Sequence, residues 1–185
     1  MEMPIVIVGG GIMGALSAWM LACAQKPVVL LEQGSFGQEA SWAGGGIVSP
    51  LYPWRYSNAV TALARWSQDF YPALAGQLLT QTGIDPEVYA TGLYWLDMED
   101  EALALDWARK LDYPLQQVDI AQARAAVPAL ADSFAHALHM PGLASVRNPR
   151  LLKALHAALL KQPNVRLQEN CAVSSFIIED DRVAG

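Results

Sequence analysis

The sequence predicts an α/β fold in which a parallel layer is interrupted by an inserted α+β segment, and three observations predict it. "PIVIVGGGIMG", Pro4 to Gly14, runs four β-branched residues into three consecutive glycines. A second apolar run, Val28 to Leu31, ends in Glu32, so the opening reads strand, Gly-rich turn, helix, strand. After a long middle stretch of mixed signals, a helix and short strands return from about residue 145 to the end.

Ile5 to Val8 are continuously apolar, which predicts a strand buried on both faces. Ile12, Leu16, Trp19, Met20 and Cys23 recur at helical spacing, which predicts an amphipathic helix with those residues inward. No glycine closes it; in "AQKP" the stop falls to Gln25 or Lys26. "QGSFGQEASWAGGGIVSP", poor in charge, predicts a loop or short helix passing close to something flat.

From Asn58, Val60, Leu63, Trp66, Phe70, Leu74 and Leu78 fall three or four apart, a helix that Pro72 kinks and Gly83 stops. "TGLYWLDM" reads as a strand, followed by a helix from about Glu99 to Lys110. "VDIAQARAAVPAL" is a short helix ended by Pro128, and "AHALHM" a strand before a turn at Pro141-Gly142. Asn148 and Pro149 read as N-cap and first turn of a helix whose Leu152, Leu155 and Leu159 face inward. "NVRLQENCAVSSFIIEDDRVAG" closes with a short strand, a longer one and a tight turn at Asp180-Asp181. The final strand has barely begun at Gly185, which suggests a chain cut short of its domain boundary. The expected organisation is thus one α/β domain from residues 1–48 and 145–185, with an α+β insertion over 49–144.

Gly9, Gly11 and Gly14 fit G-x-G-x-x-G. The first allows the tight turn, the second a close approach of pyrophosphate, and the third close packing of helix on strand. A helix N-terminus then offers unpaired N–H groups and the positive dipole end to phosphates. Glu32, eighteen positions after Gly14, stands where an acid accepts hydrogen bonds from a ribose and repels a 2′-phosphate.

A net charge of −6 speaks against nucleic acid or an anionic membrane as the main partner. The first 24 residues contain no Lys or Arg, and glycines interrupt their apolar run, so a secretion signal is not expected and the cytoplasm is. Cys23 and Cys171 are far apart and form no C-x-x-C, which predicts reduced thiols and no structural metal. His136 and His139, three apart on a strand, would point to opposite faces and so make a poor metal pair. Asp97, Glu99, Asp100 and Glu101 are most simply favourable charges at a helix start. Trp42 and Trp54 suit packing, or the wall of a site. Arg55, between Trp54 and Tyr56 and close to Tyr52, is a candidate for a substrate carboxylate as well as for stacking on an aromatic ring.

"VIVGGGIMGALSAWMLA", "VVLLEQGSFGQEAS", "SWAGGGIVSP" and "VRNPRLLKAL" resemble the FAD-dependent D-amino acid oxidase family. "SWAGGGIVSPLYPWRYS" with "TGLYWLD" resembles most the branch that acts on glycine and serves thiamine biosynthesis. The similarity spans the chain but matches only about the N-terminal half of such an oxidase. It implies an incomplete Rossmann-like FAD domain of the glutathione-reductase type with an inserted substrate, or cap, domain. FAD would be held non-covalently. Gly9, Gly11, Ile12, Met13 and Gly14 would face its pyrophosphate, with Glu32 and Gln33 on the adenosine ribose and Ala40 and Ser41 by the phosphates. Gly45, Gly46 and Ile47 would lie along the ribityl chain and isoalloxazine, and Val173 by the adenine.

The implied chemistry is oxidation of a small amino acid: hydride passes from Cα–H to the flavin, the imine hydrolyses, and O₂ as acceptor gives hydrogen peroxide. The cation for the substrate carboxylate would come from the later half of the family's sequence. Alternatives are a related dehydrogenase for D-amino acids or glycerol 3-phosphate that uses a quinone, and a catalytically inactive nucleotide-binding fragment. The sequence leaves assembly into a homo-oligomer open.

Overall fold

The computed structural model describes residues 2–184; the strand end expected at Gly185 lies outside them. In chain order the first elements are β1 (Ile5–Val8), α1 (Ile12–Cys23), β2 (Val28–Leu31), α2 (Ala40–Ala43) and, after a 3-10 turn at Pro53–Arg55, α3 (Asn58–Thr82). There follow β3 (Tyr89–Ala90), β4 (Leu93–Leu96), α4 (Glu101–Leu111), β5 (Gln116–Val118) and α5 (Ile120–Ala126). The chain continues with β6 (Ala137–Met140), β7 (Ala144–Ser145), α6 (Asn148–Leu160), β8 (Val165–Gln168), β9 (Ile178–Glu179) and β10 (Arg182–Val183).

Two compact units result. The first holds the residues up to Gly45, Leu74–Glu87 and those from Arg147 on; the second holds Gly46–Ala73 and Val88–Val146. The end of α3 and the loop after it thus fall with the first unit, although they lie inside the segment the sequence assigns to the insertion.

In the first unit, β1, β2 and β8 form a parallel sheet in the order β1-β2-β8, with Ile5 opposite Val28 and Val28 opposite Val165. Parallel neighbours need crossovers, and α1 and the chain leading to α6 supply them. α1 and α6 pack together. The inward stripe of α1 is Ala15, Ala18, Trp19 and Ala22, while Met20 and Cys23 are exposed. Of the expected stripe Trp19 is thus buried, while Ile12 and Leu16 are only half-buried and alanines fill the other inward positions, because alanine lets two helices and a sheet approach more closely than leucine or methionine would. The expected burial of β1 on both faces is also corrected: Ile5, Val6 and Val8 are exposed, and among the described residues β1 pairs with β2 alone.

α1 ends without glycine in a Schellman arrangement: Gln25 N–H donates to the Ala22 carbonyl and Lys26 N–H to that of Leu21, with Gln25 at φ 59°. α6 buries Leu152, Leu155 and Leu159 as expected. Its cap is Arg147 and its first residue Asn148, so the helix begins one residue earlier than the sequence predicts. Of the closing strands, the longer one expected is only the two residues of β9, joined to β10 across Asp180 and Asp181 at φ 48° and 58°. These two positive φ values make the tight turn expected there.

The second unit is built on an antiparallel sheet, β4-β6-β5, with Trp95 opposite Leu138 and Leu138 opposite Gln117. Trp54, Trp95, Ala104, Trp107, Leu138 and Met140 form its core. α3 runs through Pro72 as one helix and ends at Gly83, φ 75°. Of the residues at helical spacing, Leu74 and Leu78 in the last part of the helix are buried, while Val60, Leu63 and Trp66 are exposed. Among the described residues no helix is long and apolar enough to cross a membrane.

Candidate functional site

The carboxyl ends of β1 and β2 meet at the Gly-rich turn. Gly9 takes φ 103°, a conformation strained for residues with a Cβ, and its N–H donates to the Leu31 carbonyl at 2.8 Å. A Cβ on Gly14 would collide with the Gly9 carbonyl oxygen, so only glycine lets α1 start this close to the strand.

Gly11 caps α1 without a side chain, and the first turn carries no acidic residue. Ile12 N–H instead donates to the Ser41 Oγ of α2 at 2.9 Å. The remaining N–H groups of this turn have no partner within the helix. A Cβ at Gly9 would meet nothing within 4 Å, which leaves open space in front of the turn. A helix end with no side chain at its cap, no acid in its first turn and open space at Gly9 fits the pyrophosphate of a dinucleotide.

Glu32 is the knot of this region. One carboxylate oxygen accepts Gly10 N–H at 2.7 Å and the other accepts Gly34 N–H at 2.8 Å. Its own carbonyl accepts Cys171 N–H at 2.9 Å, and its N–H donates to the Gln168 carbonyl at 2.9 Å. Each carboxylate oxygen keeps a second lone pair, so the group can hold the loops and still accept a hydroxyl from a ribose.

Of the other residues that the sequence singles out here, Gln33, Ala40 and Val173 are exposed, Met13 is 76% exposed and Ile12 is half-buried. Gly45 is exposed, and a Cβ there would meet nothing within 4 Å. The sequence reading misses Gly10, Gly34 and Glu169, whose carboxylate accepts Phe36 N–H at 2.6 Å. It also misreads Asn148: instead of capping α6, its Nδ2 donates to the Gly44 carbonyl at 2.9 Å. The three consecutive glycines were the available signal for Gly10; nothing local marks Glu169.

In the second unit, Gly46 has φ 73° and its carbonyl accepts Val146 N–H at 2.8 Å. Ile47 bridges to Ser145 and is 41% exposed. Arg55 makes a two-pronged ion pair with Asp100, Nε to Oδ2 at 2.7 Å and Nη2 to Oδ1 at 3.0 Å, and stacks over the Tyr52 ring at 4.3 Å. Trp54 Nε1 donates to the same Oδ2 at 2.8 Å, and Trp54 is buried, so its role here is packing. The Arg55 hydrogen bond, helped by that of Trp54, holds the Asp100 carboxyl at about 2, and the Asp100 hydrogen bond raises Arg55 in turn.

The acidic run is therefore more than dipole placement. Asp100 binds Arg55, and Asp97 accepts His136 N–H at 2.7 Å; only Glu101 stands in the first turn of α4. His139 stacks on Tyr94, and burial pushes its imidazole down. Among the described residues no three His, Cys, Asp or Glu side chains gather as a metal centre, and Cys23 and Cys171 are free thiols.

Comparison with known proteins places these features in context. The family model for DAO, FAD dependent oxidoreductase, matches residues 4–185. Glycine oxidase of Pseudomonas putida is 58% identical over 185 residues, covering 100% of this chain and 51% of that protein. Glycine oxidase of Pseudomonas aeruginosa is 56% identical over 181 residues, covering 98% and 50%. Among solved structures, glycine oxidase from Bacillus cereus superposes with a TM-score of 0.87 at 29% identity, over 100% of this chain and 50% of that one. The chain spans about half the length of the curated relatives it matches.

Proposed function

This chain belongs to the DAO family of FAD-dependent oxidoreductases, and on that premise we propose that its protein oxidises glycine or another small amino acid. The observation that carries the reading is the Gly10–Glu32–Gly34 bridge beside the glycine-capped start of α1, in a chain 58% identical to a glycine oxidase. Bound FAD would supply the two-electron oxidation of the substrate Cα–N bond to an imine, with O₂ as the final acceptor.

The residues of this chain hold and aim. Gly9, Gly11, Ile12, Met13 and Gly14 receive the pyrophosphate at the helix end, aided by Ala40 and by Ser41, which steadies Ile12 N–H. Glu32, with Gln33, takes the ribose hydroxyls, and Val173 borders the adenine. Gly45, Gly46 and Ile47 take the ribityl chain and the flavin ring, where the absence of a Cβ at the glycines lets backbone lie close to a flat surface. The imine released in the cytoplasm would feed thiazole formation for thiamine. Arg55 is already neutralised by Asp100, so in this reading it shapes the loop after Ile47 and the substrate carboxylate takes its cation from elsewhere.

The test is the absorbance spectrum of the purified chain before and after FAD is added, with the released cofactor identified and peroxide measured on addition of glycine. A retained flavin spectrum is expected. A colourless protein that ignores added FAD, also when lengthened past residue 185 to the full span of its relatives, would refute the reading.

A further inference from the structure

We propose that the first unit carries a second small-molecule site, a cavity beside α6 that binds an aryl oxyanion, that is, a compact anion borne on an aromatic ring. The cavity measures about 560 Å³, within the range of small-molecule pockets. Arg147, Arg150 and Lys153 line it, three residues apart along the start of α6 and so neighbours on one side of the helix. Phe36, Trp42 and His156 line it as well. No Asp or Glu lines it, although the chain as a whole carries a charge of −6.

The cations are not fully neutralised by their ion pairs. Glu87 is shared by two guanidinium groups, Arg147 at 3.3 Å and Arg150 at 3.0 Å, and Lys153 has no ion-pair partner among the described residues. A concave wall of one sign focuses its field on the space it encloses, and guanidinium groups match the geometry of a carboxylate or phosphate. The rings supply the second half of the recognition. Phe36 is buried and stacks on His156 with centroids 4.7 Å apart, while the Trp42 indole is 47% exposed. A bare inorganic anion would leave that aromatic surface unused, whereas a ring attached to the anion would cover it.

None of the residues assigned to the dinucleotide lines this cavity, so the site stands whether or not the chain holds FAD. Phenyl phosphate is the probe, titrated calorimetrically into the chain, with inorganic phosphate and phenol as separate arms. Saturable binding is expected for phenyl phosphate, tighter than for either arm and weaker as salt is raised. Lys153→Glu and Trp42→Ala should each weaken it about tenfold, and Lys153→Arg should retain it. Lys153 and Trp42 are both exposed, and unchanged circular dichroism would verify that the variants fold. Absence of saturable binding, equal affinity in Lys153→Glu, phosphate alone binding as tightly as phenyl phosphate, or displacement by FAD would each overturn the proposal.

Discussion

The Glu32 carboxylate accepts the Gly10 N–H at 2.7 Å, a charged hydrogen bond between the end of β2 and the middle of the Gly-rich turn, while its other oxygen accepts Gly34 N–H. Glu32→Gln turns one acceptor into a donor that faces an N–H. The expected loss is about 1–2 kcal/mol of stability, read from urea unfolding. FAD affinity should fall about tenfold or more if the ribose uses the same two oxygens that tie the loops. Flavin fluorescence titration would test the second part, and unchanged affinity would remove Glu32 from the site.

Gly14 and Gly45 make a contrasting pair. Gly14→Ala pushes a methyl group into the Gly9 carbonyl, and backbone cannot move aside cheaply. A loss of about 1–3 kcal/mol in thermal or urea unfolding is expected, together with cofactor binding. Gly45→Ala enters open space, so stability should stay within about 0.5 kcal/mol. If the flavin lies over Gly45, its affinity for the chain falls all the same.

Asp100 gives the second unit a pH dependence of known sign. Its folded carboxyl sits at about 2, below the ordinary aspartate range, because of the Arg55 hydrogen bond. The folded state therefore binds the proton less readily than the unfolded chain, and the pair's contribution is complete above about pH 4 and lost as pH falls toward 2. Melting curves of the parent and Asp100→Asn should differ by a few degrees at neutral pH and converge at the acid end. A gap that persists to the lowest pH would mean that shape, and not charge, separates the two.

Gln25 closes α1 with φ 59° where glycine would rest without strain. Gln25→Gly should raise stability by about 0.5–1 kcal/mol in urea, since the left-handed residue no longer carries a Cβ. No effect on the cofactor is expected, because Gln25 lies at the opposite end of α1 from the Gly-rich turn.

The elements were legible wherever their signals are local. The opening strand, turn, helix and strand, the Leu152–Leu155–Leu159 face and the turn at Asp180-Asp181 follow from periodicity over a few residues and from turn chemistry. Which face is buried was less legible. In α1 Trp19 is buried as expected but alanines take the other inward positions while Met20 and Cys23 are exposed, and in α3 Val60, Leu63 and Trp66 are exposed. Hydrophobicity says that a residue could be buried; the neighbours decide whether it is.

By itself, the amino-acid sequence determined the Gly-rich turn, the acid at the end of the second strand and the residues that cannot carry a Cβ, because each is a demand of backbone sterics within one short segment. Only the tertiary structure decided where the polar groups went. Asn148 reaches Gly44, Arg55 reaches Asp100, and Glu169 reaches Phe36, across separations of 104, 45 and 133 residues. The physical reason is that a hydrogen bond depends on angstroms in space, and those distances exist only after α6, α4 and β8 have been brought into place by packing.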